Sequence, residues 1–423
     1  MEHTKEKQYN VSLYPKYKMF SWDMLFYYAI IFLFFTEVKH ISAADVFLAE
    51  SAYPLFKVLF LIPATILISK LGKRKSLIIA NTSVFLSILT YILSNDFWGI
   101  LLGELFSAIG YITKGICETN MLYDSLEKNE KRGSNFSKID GKASSLYYYI
   151  DAITTVMAGF LFAVNGYAPM ICCLLFQELT IFLSFRFKEI DFVDNQNKVT
   201  LKNELKEVKK AMKGIFNSSR LKSLILFGAT FSGILGVLTH LRSSLLSDIN
   251  VPAQYFGVIF AIFGMISGIS AKNQSRFHKK FRNKTLASLS VPVVISWIVL
   301  GIWCNLGLPY YITLVLVLAI FLIQYIAKGP FYTLIRQYLN NFTNTDLRNK
   351  ISSSYNLIES VLRALISFSV SLLLRYTTTS NVFIILGCIF TAIIVLMLDK
   401  MRTRVGLKPE EYKEKDIKIL ELK

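Results

Sequence analysis

The sequence predicts an all-α membrane protein of twelve transmembrane helices, arranged as two six-helix pseudo-symmetric halves. Three observations predict it. Apolar runs of the roughly 20 residues needed to cross a bilayer recur along the chain, the loops between them alternate in basic content, and two stretches of sequence repeat at about half the chain length.

The runs are bounded by charge and by Gly, Pro and Asn, and place spans near 22–39, 51–70, 76–94, 97–122, 143–164, 168–186, 222–243, 253–271, 285–303, 309–336, 351–374 and 380–399. With 53% hydrophobic residues, including 33 Phe and 22 Tyr among 423, the chain holds more apolar side chain than a soluble domain of its size buries.

One set of loops carries Lys70, Lys73, Arg74 and Lys75, then Lys128, Lys131, Arg132, Lys138 and Lys142, then Lys272, Arg276, Lys279, Lys280, Arg282 and Lys284. The opposite set holds little beyond Lys39, Arg242 and Arg375. Cytoplasmic loops retain Lys and Arg, so both termini and the long middle loop are expected in the cytoplasm of a multi-pass cell-membrane protein. The net charge of +18 is therefore a topology signal and not the footprint of a nucleic-acid partner. No short apolar core with a cleavage site opens the chain, so the first span is expected to serve as the insertion signal.

The expected organisation is a cytoplasmic segment (1–21), a first six-helix bundle (22–186), a cytoplasmic linker (187–221), a second bundle (222–400) and a cytoplasmic tail (401–423). Within the linker, Leu201, Leu205, Val208 and Met212 recur at helical spacing beside Lys202, Lys206, Lys209, Lys210 and Lys213, which predicts a basic amphipathic helix on the membrane surface.

The repeat aligns Lys142-Ala-Ser-Ser-Leu-Tyr147-Tyr-Tyr-Ile-Asp151 with Lys350-Ile-Ser-Ser-Ser-Tyr355-Asn-Leu-Ile-Glu359, and Tyr111-Ile-Thr-Lys114-Gly115 with Tyr325-Ile-Ala-Lys328-Gly329. The fourth and fifth spans thus correspond to the tenth and eleventh. Because six is even, both halves enter the membrane in the same orientation, an arrangement that places a solute site near mid-membrane.

Twelve spans, two halves and a long middle loop resemble the major facilitator superfamily over nearly the whole chain. The loop motif of that family, G-x-L-A-D-R-x-G-R-K-x-x-L, is matched by Thr65-Ile-Leu67-Ile-Ser69-Lys70-Leu-Gly72-Lys73-Arg74-Lys75-Ser-Leu77, with Thr65 for the first Gly and Ser69 for the Asp. The resemblance implies a cytoplasmic gating loop at Gly72, Lys73, Arg74 and Lys75, and the missing Asp questions its usual charge latch. Glu118-Thr-Asn-Met-Leu-Tyr123-Asp124-Ser-Leu looks like a tract of bacterial permeases and multidrug exporters. The fifth span lacks the Gly/Pro-rich pattern of proton antiporters.

An ionisable group at mid-bilayer costs about 2.5–3.5 kcal/mol on insertion scales, so such residues are functional candidates. They are Glu37, Lys57, Glu104, Lys114, Glu118, Asp151, Glu178, Lys328, Glu359 and Arg363. Lys114 with Glu118, and Glu359 with Arg363, stand four apart and meet on one helix face, either neutralising each other or lining a wet cavity. Asp151 and Glu359 occupy equivalent repeat positions, so Glu118, Asp151 and Glu359 are candidate proton-coupling or substrate carboxylates. Lys114, Lys328 and Arg363 are candidate substrate-binding or charge-pairing cations. Glu37 and Lys57 read as a structural pair, and the Tyr147–Tyr149 and Trp297/Trp303 clusters as lipid-facing packing.

These readings imply a secondary active transporter moving a small solute by alternating access, as proton-coupled export of cationic or amphipathic compounds. The alternatives are organic-anion uptake or exchange at Lys114 and Lys328, and a non-transporting receptor. No P-loop, H-E-x-x-H or clustered set among the four His residues points to an enzyme. Five cysteines in apolar runs, without ligand spacing, read as fillers, so neither cofactor nor metal is expected. The expected partners are a small-molecule substrate, the lipid bilayer and a proton or other coupling ion, with the protein a monomer.

Overall fold

In the computed structural model the described residues are 2–127, 132–190, 206, 219–281, 284–341 and 345–402. Every regular element among them is helical: α1 (Glu2–Ser21), α2 (Ile31–Leu33) running into a π-helical turn (Phe34–Val38), α3 (Ala43–Leu71), α4 (Lys73–Leu93), α5 (Phe97–Ser125), α6 (Arg132–Val164), α7 (Ala168–Arg186), α8 (Ser219–Asp248), α9 (Ala253–Lys272), α10 (Gln274–Phe281), α11 (Thr285–Asn305), α12 (Tyr310–Asn341), α13 (Thr345–Leu374) and α14 (Thr379–Arg402). Such a structure follows from the solvent, because hydrocarbon offers backbone N–H and C=O groups no partners and a helix satisfies them internally. Among the described residues eleven helices, α3–α9 and α11–α14, are long and apolar enough to cross a membrane by length and composition. The predicted amphipathic helix and the tail beyond Arg402 lie outside the described residues.

The chain forms two compact units, one of residues 1–205 and 252–261, the other of 206–251 and 262–423. Three pairings recur in both. In the first unit α1 packs on α6 and α4 on both α5 and α7; in the second α8 packs on α13 and α11 on both α12 and α14. The repeated sequences thus sit on repeated architecture.

The expected first span, 22–39, is where the structure departs furthest from the prediction. The helix begins at Glu2 and stops at Ser21. It stops because the Asp23 carboxylate accepts the Met24 N–H and the Tyr28 hydroxyl, both at 2.9 Å, and Phe26 takes φ +64°. The chain re-enters helix only at Ile31, then widens into the π turn, where Lys39 N–H reaches the Phe34 carbonyl at 3.0 Å. Upstream, Leu13, Tyr14 and Tyr17 join Leu77, Cys117, Met121, Ala143 and Phe187 in one buried cluster. Polar residues such as Lys16 and Lys18 masked this helix in the sequence. The interior Tyr147 and Trp297 likewise correct their lipid-facing assignment: Tyr147 is buried and stacks on Trp22, and Trp297 packs between Phe383 and Phe390.

The repeat glycines differ in their surroundings. A Cβ on Gly329 of α12 would stand 2.1 Å from the Ser267 carbonyl oxygen of α9, whereas one on Gly115 of α5 would meet nothing within 4 Å. A backbone neighbour cannot swing aside. Gly329→Ala is therefore expected to destabilise by about 1–3 kcal/mol through overpacking, and Gly115→Ala to be neutral or stabilising by about 0.5–1 kcal/mol through reduced chain entropy. Thermal denaturation of the two purified variants in detergent checks this, and equal shifts would contradict it.

Candidate functional site

Two clusters of charge lie inside the units. In the first unit, α1 delivers Lys18 into the space between α5 and α6. Its ammonium stands 3.3 Å from Glu118 Oε1 of α5 and 2.5 Å from Asp140 Oδ1 of α6, and donates to the Tyr14 hydroxyl at 3.1 Å. Tyr14 in turn donates to Asp140 at 2.7 Å, and the Trp22 ring lies 4.2 Å from the Lys18 Nζ. Lys18 is 6% and Glu118 7% exposed, so this is an ion cluster withdrawn from solvent, where removal of one partner leaves an uncompensated charge. One ammonium between two carboxylates leaves a surplus negative charge.

The sequence-predicted partner of Glu118, Lys114, stays within electrostatic reach of it but makes its hydrogen bond elsewhere. Lys114 donates to the Ser21 carbonyl at 2.5 Å, capping the end of α1, and sits 4.2 Å from the centre of the Tyr111 ring. Favouring Lys at a helix C-terminus, the α1 dipole accounts for this choice. Asp23 also accepts from the Tyr111 hydroxyl. Half-buried Asp151 of α6 lies within electrostatic reach of Asp23 and beside Tyr147. The structure therefore gathers Lys114, Glu118 and Asp151 around the end of α1, adding Lys18, Asp23 and Asp140. The sequence could have flagged Lys18 and Asp23 through the i, i+4 run Tyr14–Lys18–Trp22 leading into an apolar span.

In the second unit Glu359 lines a cavity of about 430 Å³ together with Tyr332, Arg336, Tyr355 and Asn356. Tyr332 lies within electrostatic reach of Glu359, Arg363, Arg242 and Arg336. The Arg363 side chain runs along Gly236 of α8, where a Cβ would approach its Nε to 3.1 Å. Half-buried Lys328 has its Nζ 5.5 Å from the Tyr325 ring centre. Arg242 was read from the sequence as an outer-loop marker, but α8 continues to Asp248 and the side chain is fully buried within the unit. Its Nε donates to Gln324 Oε1 at 2.9 Å, and its Nη1 and Nη2 have no hydrogen-bond partner among the described residues. A buried donor without a partner costs about 1–3 kcal/mol, and more when charged. Leu245 and Leu246 carried the overlooked signal, apolar residues that continue past the predicted span end at 243.

At the motif loop, Gly72 adopts φ +80°, and Glu189, just after α7, accepts the backbone N–H groups of Lys73 at 2.9 Å and Arg74 at 2.6 Å. A carboxylate thus caps α4 at its positive end. A Cβ on Gly72 would come within 2.9 Å of that carboxyl group, so glycine is required by both conformation and space. Arg74 donates to the Phe185 carbonyl at 2.8 Å, Lys73 pairs with Asp124 at the end of α5, and Arg132 stands 3.6 Å from the same carboxylate. Lys75 is exposed. Ser69, in place of the family Asp, bonds its own helix at the Ile66 carbonyl. Glu189 and Asp124 supply the carboxylates that the sequence motif lacks.

A family model described as Major Facilitator Superfamily matches residues 19–367. A Bacillus subtilis (strain 168) protein called "Uncharacterized MFS-type transporter YxaM" is 22% identical over 307 residues, covering 70% of this chain and 72% of that protein. Among solved structures, the nucleoside transporter NupG superposes with a TM-score of 0.67 at 12% identity, over 95% of this chain and 100% of its own. A POT family transporter in complex with 5-aminolevulinic acid gives 0.68 at 12%, over 95% and 96%. A D-xylose-proton symporter gives 0.63 at 12%, over 96% and 98%. At such identities these structures establish the fold.

Lys18→Met would strand the buried Glu118 carboxylate beside a partly exposed Asp140 and is expected to lower stability by about 3–5 kcal/mol. Adding Glu118→Gln should recover part of that loss, and a double-mutant cycle of melting temperatures measures the coupling. Strictly additive losses would show that the ion pair is not the cause. Glu189→Ala, which removes the α4 cap, is expected to cost about 0.5–2 kcal/mol by the same assay.

Proposed function

The chain belongs to the major facilitator superfamily and is a multi-pass membrane transporter, and on that premise we propose that it is a proton-coupled carrier whose cargo is an organic anion. The observation that carries proton coupling is the Lys18–Glu118–Asp140 cluster, in which Lys18 and Glu118 are buried and Asp140 is partly exposed. A proton taken up by Glu118 cancels the surplus charge of the cluster and loosens the hold of Glu118 on Lys18. Return of Lys18 to Glu118 displaces the proton again. Because these three side chains come from α1, α5 and α6, the exchange alters what ties those helices together, which is what alternating access requires of a coupling group. Asp151 is the neighbouring carboxylate to or from which the proton passes, and Glu359 is its counterpart in the second unit.

The anionic cargo is supported by charge. Around Tyr332 and Tyr325, Arg242, Lys328, Arg336 and Arg363 outnumber Glu359. Lys114, held by the Ser21 carbonyl, contributes less to this reading than the sequence suggested. Uptake with a proton and exchange of one anion for another both fit. The second reading, export of cationic or amphipathic compounds, is favoured by the first unit, where Asp23, Glu118, Asp140 and Asp151 exceed Lys18 and Lys114. In either case the protein acts as a monomeric carrier rather than an enzyme, in the cell membrane with both termini cytoplasmic.

In proteoliposomes with a trapped pH dye, terephthalate or phenyl phosphate added outside should acidify the lumen through the wild-type protein. Glu118→Gln should abolish that signal while leaving isotope counterflow of the same anion intact. A signal evoked instead by benzyltrimethylammonium would favour cation export, and unimpaired coupling in Glu118→Gln would remove Glu118 from the mechanism.

A further inference from the structure

We propose that Arg242 is the anchor for the acidic group of the cargo, a carboxylate or phosphate that docks end-on against Nη1 and Nη2 within the second unit. This deepens the anion-carrier reading and rests on it for its functional meaning.

Three helices build the site. Ser296 of α11 receives the Gln324 amide N–H at 3.0 Å, which turns Gln324 Oε1 of α12 toward the Nε of Arg242 on α8 at 2.9 Å. The side edge of the guanidinium is thereby occupied and its plane fixed. Tyr325 supports it, with the guanidinium carbon 4.3 Å from the ring centre, and Phe263 stacks on the same tyrosine at 5.3 Å. What remains is the fork of Nη1 and Nη2, fully buried and without a well-formed hydrogen bond among the described residues, the Tyr325 side chain being the neighbour within reach. No carboxylate among the described residues forms an ion pair with Arg242.

A rigid, desolvated guanidinium fork matches the two oxygens of a carboxylate or phosphate in a bidentate pair, geometry that an ammonium cannot reproduce. Lys328 adds a second positive charge near the same tyrosine, within electrostatic reach of Arg242. The aromatic rings that flank the guanidinium, Tyr325 and Phe321, suit a cargo whose acid is attached to an apolar or aromatic body. The fixed edge of this arginine is taken by Gln324, while its fork has no carboxylate partner among the described residues and only the Tyr325 side chain within reach.

The test uses the full-length protein in detergent, with terephthalate and phenyl phosphate as oxyanion probes and terephthalamide as the neutral control. Both oxyanions, or one, should raise the melting temperature of the wild type, and which one does so separates carboxylate from phosphate cargo. Arg242→Met should bind the effective probe on the order of a hundredfold more weakly, as for loss of one partner of a buried charge pair. Without probe it should remain folded, with loss of the Gln324 hydrogen bond offset in part by removal of a buried cation that has no ion-pair partner among the described residues. Arg242→Lys should keep the fold and lose most of the affinity. An undiminished probe response in Arg242→Met, an equal response to terephthalamide, or silence of the wild type toward both oxyanions would overturn the assignment. The transport assay separates the two claims. Anion transport unchanged in Arg242→Met sinks the Arg242 site and leaves the anion carrier standing. Arg242-dependent binding without transport sustains the site and sinks the carrier reading.

Discussion

The expense of placing charge in hydrocarbon organises this molecule. A side chain such as Lys18, Glu118 or Arg242 is tolerated inside an apolar bundle only when other groups surround it, so each charge draws several helices to itself. Lys18 holds the end of α1 against α5 and α6. Arg242, through Gln324 and Ser296, holds α8 to α12 and, through them, α11. The polar contacts consequently do two jobs, fixing helix positions and concentrating chemistry where the helices meet.

The two units solve this problem with opposite signs. In the first, carboxylates exceed ammonium groups, and aromatic hydroxyls from Tyr14, Tyr28 and Tyr111 share the negative charge. In the second, guanidinium and ammonium groups exceed the carboxylate, with aromatic faces at Tyr325 and Phe321 sharing the positive charge. Several helix pairings recur in both units, and on that shared part of the frame the difference lies in the side chains. A duplicated scaffold has thereby acquired two chemically distinct interiors.

Much of the frame was legible in the sequence because hydropathy and loop charge act over whole segments, and the ends of α4, α5, α7 and α9 fall within a few residues of their predicted limits. The first helix was not, since Lys16 and Lys18 make its sequence polar while the fold buries its tyrosine face. Candidate site residues were legible only as charges in apolar runs, which singled out Lys114, Glu118, Asp151, Lys328, Glu359 and Arg363 as candidates. Their partners were not, because i, i+4 spacing favoured Lys114 with Glu118 whereas tertiary contact gave Glu118 to Lys18, one residue in a segment read as outside the bundle. Arg242 was hidden because it stands at the end of the predicted 222–243 span, where a basic residue reads as a loop marker, whereas the helix runs on to Asp248.

The cap on α4 has an asymmetric consequence for sequence change. Glu189 bonds the main-chain amides of residues 73 and 74, which every amino acid except proline provides. Lys73 and Arg74 can drift without touching that contact, while position 189 admits little but a carboxylate and position 72 little but glycine. Robustness on one side of the junction is matched by fragility on the other, so natural variation in this loop should gather at the basic residues that make it conspicuous and spare the glutamate that lies more than a hundred residues away.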